Sequence, residues 1–173
     1  MNQPEEQALL LQATAGDVQA FSALLEKYYT MIYRMAFRWL GNQDDSEDVA
    51  QEVCIKLGRS IHGFQANSKF STWVYKIVLN TVRDFQRKQR NHANIDEISV
   101  ATNGNTSEQQ MHNTQLWQLV QQLPDKQRDA VLLVYAEGLS HSEAANVLDC
   151  KESTVSWYIH EAKKQLKALM HHD

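Results

Sequence analysis

Apolar residues recur every three or four positions along almost the whole chain, and strict apolar/polar alternation is absent. Helical periodicity without strand periodicity makes the chain all-α. A first helix is expected over 5–15, where Gly16 ends it and Asp17 caps the next. In that second helix Phe21, Leu24, Leu25, Tyr28, Ile32, Met35, Ala36 and Trp39 hold one stripe until Gly41 stops it. A third helix, 44–60, turns Val49, Val53 and Leu57 inward. A fourth, 70–89, follows a loop containing Gly63, Asn67 and Ser68, and buries Val74, Ile77, Val78 and Phe85. The character then changes: 91–113 holds mostly Asn, Thr, Ser, Gln and Glu around Gly104, the composition of a linker. Helices over 108–122 and 124–137 follow, with Pro124 at a helix's first position and Gly138 just past its end. Two small helical domains joined by a polar linker result, at 1–90, 91–112 and 113–173.

The segment 138–167 is a capped helix, a tight turn and a second helix. Ser140 and Glu143 have the S-x-x-E spacing of a capping box, so a helix begins near Ser140. Ala144, Ala145, Val147 and Leu148 give it a small-residue apolar side. Asp149 and Cys150 make the turn, Asp tolerating left-handed backbone better than most residues. On the last helix Val155, Ile159, Ala162, Leu166 and Leu169 form the inward stripe, leaving Ser156, His160, Lys163, Lys164 and Lys167 outside. This is a helix-turn-helix signature, although many helical bundles contain such a hairpin.

Composition removes several function classes. A net charge of -4 excludes a generic basic nucleic-acid coat, so any DNA binding must be local. Cys54 and Cys150 are far apart without clustered Cys or His, which suggests neither a disulfide framework nor a zinc site. The start of the chain is acidic with a short apolar run, unlike a secretory leader, and no stretch is long enough to span a bilayer. The expectation is a soluble cytoplasmic protein with no membrane contact of its own. No nucleophile with a base, metal cluster or phosphate-binding Gly loop points to an enzyme, and no cofactor is expected.

Charge is segregated in the first domain. Asp44, Asp45, Glu47, Asp48 and Glu52 crowd the third helix, and Asp45, Asp48, Gln51 and Glu52 would share one outward surface. Carboxylates in a first turn favour the positive end of the helix dipole, which accounts for Asp44 and Asp45 but not Glu52. A di-metal bundle would need Glu-x-x-His repeats, and there are none. The fourth helix is the opposite, with Lys69, Lys76, Arg83, Arg87 and Arg90 at helical spacing around Asn80, diluted only by Asp84. Such a run favours phosphate contact over a plain solvated face. Trp73 and Tyr75 beside it are either core or a platform for unpaired bases.

With these pieces in order, the chain resembles a bacterial RNA polymerase sigma factor of the extracytoplasmic-function class over nearly its whole length. The matching stretches are AFSALLEKYYTMIYRMAFRWLGNQDDSEDVAQEVCIKL, FSTWVYKIVLNTVRDFQRKQR, LPDKQRDAVLLVYAEGLSHSEAANVL and STVSWYIHEAKKQLKAL. The acidic segment looks like the family's D-x-E-D-V-x-Q-E-x-F motif. The resemblance implies a promoter-specificity subunit that works on core RNA polymerase, contacting clamp and flap, and on promoter DNA. Asp45, Asp48, Gln51 and Glu52 would then meet the clamp. The fourth helix and its preceding loop would recognise and help melt the minus-ten element. A flipped base would sit in a pocket shaped by residues 64–71, Phe64, Lys69 and Ser71 among them, and by Asn80, with Trp73 also on the minus-ten surface and Lys76, Arg83 and Arg87 on phosphates. The linker would thread through the polymerase. Members are commonly restrained by an anti-sigma protein, often under stress or envelope-signal control, so such a partner is expected.

The helix-turn-helix would face the minus-thirty-five element through Ser153, Thr154, Ser156, Trp157, Tyr158, His160, Lys163 and Lys164. Here the sequence departs from its relatives. Where they carry a T-V-K-S-R-L-H-R-A-R run, three basic positions have become Ser156, Tyr158 and Glu161. Each lost phosphate contact removes about 0.9 from the slope of log affinity against log salt, so upstream binding should be weak or unusual in sequence preference. Trp157 would stack or cover a thymine methyl, or else pack on the preceding helix. The competing reading is a stand-alone helix-turn-helix regulator, which leaves both charged faces of the first domain without a purpose.

Overall fold

The computed structural model describes residues 2–93 and 108–171, and within these every regular element is helical. The helices are α1 (Gln3–Thr14), α2 (Val18–Leu40), α3 (Gln43–Ser60), α4 (Phe70–Ala93), α5 (Glu108–Gln121), α6 (Asp125–Val131), α7 (His141–Leu148) and α8 (Glu152–Met170). They form two compact units, α1 to α4 and α5 to α8.

In the first unit the ends of the helices are written chemically. Asp17 accepts from the amides of Gln19 and Ala20 and so caps α2, while Gly41 closes it at a left-handed φ of 78°. Asn42 caps α3 through Asp45. At α1 a reciprocal box joins Asn2 and Glu5, a start signal not anticipated above. Between the caps, the predicted stripe of α2 is buried against α1, α3 and α4, with Ile32, Met35, Ala36 and Trp39 almost wholly inside. Val49, Val53 and Leu57 of α3 and Val74, Val78, Leu79 and Val82 of α4 complete the core. A turn of 3-10 helix, Ile61–Gly63, leads from α3 into the loop before α4.

One helix boundary differs from expectation: α4 runs on to Ala93, past the expected 89, whereas α5 begins at Glu108 as expected, so both ends of the 91–112 segment are helical. Nothing in Asn91, His92 or Ala93 breaks a helix, and the next Gly is Gly104. The remainder of the linker, 94–107, lies outside the described residues.

The second unit is smaller, with α6, α7 and α8 packed together and α5 touching α8. Pro124 is the residue before the helix rather than its first position, at φ -52° and ψ 144°. The helix expected to reach 137 changes pitch at Leu132–Ala136, a π turn whose wide bond runs from Glu137 N–H to Leu132 O. Gly138 then turns the chain at φ 72°. Ser140 caps α7 by accepting from Glu143 N–H at 3.1 Å; of the two bonds in a capping box, this is the one formed. Asp149 ends α7 at φ 52°, the left-handed conformation expected of it. Val155, Ile159 and Ala162 of α8 are buried, and Leu166 and Leu169 are half-buried.

Candidate nucleic-acid and partner interfaces

The acidic side of α3 follows from the register that buries Val49, Val53 and Leu57. Asp48 and Gln51 are exposed and make no hydrogen bond or ion pair among the described residues. Glu52 is paired with Lys56 at 3.3 Å, one turn on. Asp45 is more occupied than expected, because Asn42 and Gln89 of α4 donate to its Oδ2 at 2.6 and 3.2 Å. The same face carries a residue that charge pattern alone passes over: Ile55, 53% exposed, lies seven positions beyond Asp48. Its signal was its register, since it falls between the buried positions 53 and 57.

On α4, Asn80 is exposed and unpaired among the described residues. It lines a 340 Å³ cleft with Ile77 and Thr81 of α4 and with Lys56, Arg59 and Ser60 of α3. The cleft therefore draws its cations from α3, a contribution that a helix-by-helix reading missed. Lys56 spans it, donating to Thr81 Oγ1 at 3.1 Å and standing 3.9 Å from Asp84. Asp84 also holds Arg87 at 3.3 Å, so the single acid of the stripe partly neutralises one of its cations. Lys69 and Arg87 are exposed, and Lys76 and Arg83 are half-buried.

The aromatic residues gather elsewhere. Phe64, Phe70 and Trp73 form a mutual cluster with ring centroids 5.1–5.6 Å apart, and Tyr28 of α2 meets Phe70 edge-on at 5.1 Å. Phe64 and Trp73 thus pack against each other and line no part of the Asn80 cleft, and Tyr75 is buried. Ser71 is half-buried at the start of α4.

On α8, Ser153, Trp157, His160, Lys163 and Lys164 are exposed, while Thr154 and Tyr158 sit at the edge of the packed face. Trp157 is 56% exposed, with its ring 5.5 Å from that of Tyr158, and so does not pack away on the preceding helix. Ser156 is engaged within the motif: its hydroxyl lies 2.8 Å from His141 Nδ1 at the start of α7 and donates to Glu152 O. Glu161 pairs with Lys164 at 3.3 Å, and Lys163 lies 5.5 Å over the ring of Tyr135, which the π turn places 59% exposed. Both cysteine thiols are held above their ordinary pKa, chiefly by burial, which makes them poor nucleophiles. Among the described residues no group of His, Cys, Asp and Glu could hold a metal, and no helix is long and apolar enough to cross a membrane.

Residues 24–92 match the Sigma-70 region 2 family and 113–166 the Sigma-70 region 4 family. The chain is 33% identical over 172 residues to the ECF RNA polymerase sigma factor SigW of Bacillus subtilis, covering 90% of this chain and 91% of that one. It belongs to the extracytoplasmic-function sigma factors. The RNA polymerase sigma-H factor of Pseudomonas aeruginosa is 30% identical over 98% of the chain and 96% of its own. The fold is likewise that of solved sigma factors. CnrH, in complex with the cytosolic domain of CnrY, superposes with a TM-score of 0.76 at 22% identity, over 98% of this chain and 99% of CnrH. RpoE of Bartonella quintana, in complex with the anti-sigma factor NepR, gives 0.69 at 22% identity, over 90% and 99%. This sigma factor therefore acts in promoter-directed initiation of transcription. Membership gives the charged faces of the first unit a shared context that a stand-alone regulator lacks.

Proposed function

We propose that α3 is the docking face for the clamp of core RNA polymerase, that the loop before α4 together with the Asn80 cleft and Lys76, Arg83 and Arg87 captures and opens the minus-ten element, and that α8 reads the minus-thirty-five element. The observation that carries this reading is the separation of charge on one small unit. Asp48 and Gln51 stand unpaired on α3, while Asn80 opens into a cleft flanked by Lys56 and Arg59. An acidic surface suits a basic protein partner, and a cation-lined cleft with an amide suits a flipped base and its phosphate. Unstacking costs a few kcal/mol per step, which these contacts offset only in part, so core enzyme supplies the remainder.

The protein has no catalytic step of its own and works in the cytoplasm. The linker would thread through the polymerase, and an anti-sigma protein covering both units would hold the factor inactive until a stress or envelope signal releases it. Support comes from the solved relatives, of which RpoE was captured with its anti-sigma factor NepR.

Equilibrium binding to bacterial core RNA polymerase tests the docking face without knowledge of the promoter. Wild type should bind tightly, and Asp48→Arg should lose roughly 100-fold or more in affinity while keeping its fold, since it reverses an exposed charge. A folded wild type that failed to bind core would end this reading in favour of a free-standing DNA-binding regulator.

A further inference from the structure

Helix α1 lies outside the stretch matched to region 2, which starts at residue 24, yet it is fastened to the rest of the unit at two defined points. At its N-terminal half, Glu6 pairs with Lys27 and accepts a hydrogen bond from the Tyr28 hydroxyl at 2.9 Å. Burial, reinforced by that carboxylate, pushes the Tyr28 hydroxyl well above the ordinary tyrosine range, so it stays a donor. At its C-terminal end, the carbonyl of Thr14, one of the last-turn acceptors that a helix leaves without an internal partner, lies 3.1 Å from His62 Nδ1. A carbonyl can only accept, so His62 donates.

Both attachments lead to the same loop. His62 sits in the turn Ile61–Gly63, and the next residue, Phe64, bonds back through its N–H to Ile61 O at 3.1 Å. Tyr28, held by Glu6, presses edge-on against Phe70 at the far end of the loop, and Phe70 in turn contacts Phe64 at 5.4 Å and Trp73 at 5.6 Å. The chain between His62 and Phe70 is thus gripped at its start by the end of α1 and at its finish by a residue that α1 orients. Gly16 turns the corner between α1 and α2 at a φ of 103°, a backbone conformation that favours glycine.

We infer that α1 is a brace that positions the minus-ten loop, with His62 and Tyr28 as positioning residues that set the loop before DNA arrives. Neither needs to touch DNA. Residues Gln65 to Lys69 between the two clamps are all exposed, so the loop's tip is presented to solvent while its ends are fixed. Pre-ordering a capture loop reduces the conformational entropy lost on binding, and its effect falls on the step where the loop engages DNA. The brace rests on the proposal that this loop meets the minus-ten element.

The test uses full-length protein with core polymerase on a promoter selected from a randomised DNA pool by the wild-type holoenzyme. Open-complex formation is followed by fluorescence of 2-aminopurine placed in the melted segment. His62→Ala should slow opening roughly five-fold, the weight of one hydrogen bond, and Tyr28→Phe should slow it by a similar factor. Affinity for core should stay at the wild-type value in both. His62→Asn, which keeps a donor at the same distance from the backbone, should restore the rate. Asn80→Ala serves as the reference for the loop reading. Slow opening by Asn80→Ala beside a wild-type rate for His62→Ala and Tyr28→Phe would overturn the brace alone. If Asn80→Ala also opened normally, the reading of the cleft would fall, and the brace with it. Parallel loss of core affinity and opening without rescue by Asn would reduce His62 to a general structural contact and likewise overturn the proposal.

Discussion

Helices α4 and α8 are the two helices proposed to face nucleic acid, yet they are built on different terms. α4 carries Lys76, Arg83, Arg87 and Arg90, with Lys69 just before it, against one acid, Asp84, and opens a cleft at Asn80. α8 offers Lys163, Lys164 and Lys167, but Glu161 occupies Lys164 and the Tyr135 ring lies under Lys163. What α8 exposes instead is Trp157, beside the half-exposed Tyr158. Phosphate attraction is independent of base sequence, whereas a ring that covers a thymine methyl is not. Under the proposed roles, the first unit would hold DNA chiefly through charge, and the second would discriminate through a few uncharged contacts that hold it weakly.

Two tryptophans break this comparison most sharply, because one belongs to a core and the other to a surface. Trp39 is 1% exposed, and Trp39→Ala should cost about 3–5 kcal/mol and unfold the first unit, as read by urea denaturation of the full chain. Trp157→Ala should leave stability within about 0.5 kcal/mol and yet lower affinity for a selected promoter. Equal destabilisation by both would show Trp157 to be a structural residue.

Next in size is the charge on α4. Arg83→Ala combined with Arg87→Ala should leave core affinity intact and slow promoter opening about ten-fold or more. It should also flatten the salt dependence by about 0.7 for each contact made to single strands. A matching drop in core affinity would dissolve the division of labour between α3 and α4.

Most of the helices, and the caps at Asp17, Gly41 and Ser140, were legible in sequence because their causes are local. Asp17, Gly41, Gly138 and Ser140 act within a turn of their own position, and burial of Val155, Ile159 and Ala162 follows from a period of 3.6. The family motifs likewise located both units. What escaped the sequence was made by contacts between elements. Phe64 and Trp73 look like bases' partners on a one-dimensional reading, but α2 supplies Tyr28 and the first residue of α4 supplies the Phe70 ring, so they close on each other. Arg59 joins Asn80 only because α3 and α4 pack side by side, and His62 finds Thr14 across 48 residues. The π turn at Leu132–Ala136 has no local signal in a run of good helix formers and apolar residues.

The turn of the second unit offers a smaller test. Asp149 holds φ 52°, where an L-residue pays for its Cβ. Asp149→Gly should be neutral or stabilising by up to about 1 kcal/mol, while Asp149→Val should cost about 1–2 kcal/mol and weaken upstream DNA binding through the misplaced α8. Thermal denaturation of the full chain separates the two signs.

The smallest effect concerns Glu161, and it tests whether α8 is weakly basic by composition or also by pairing. Lys164 lies 3.3 Å from Glu161 on a surface where such i, i+3 pairs contribute little to stability, so Glu161→Gln should leave the melting temperature unchanged. Its consequence should appear in DNA binding, because the freed ammonium becomes available to a phosphate and the repulsion of the carboxylate disappears. Duplex affinity of the holoenzyme for the upstream element should rise a few-fold at low salt, and the salt slope should steepen by up to about 0.9. Because the added contact ignores base identity, affinity for scrambled duplex should rise by the same factor, leaving discrimination unchanged. A rise confined to the selected sequence would instead place position 161 at a base edge, and the charge-poor α8 would then be reading bases with its carboxylate as well as its rings.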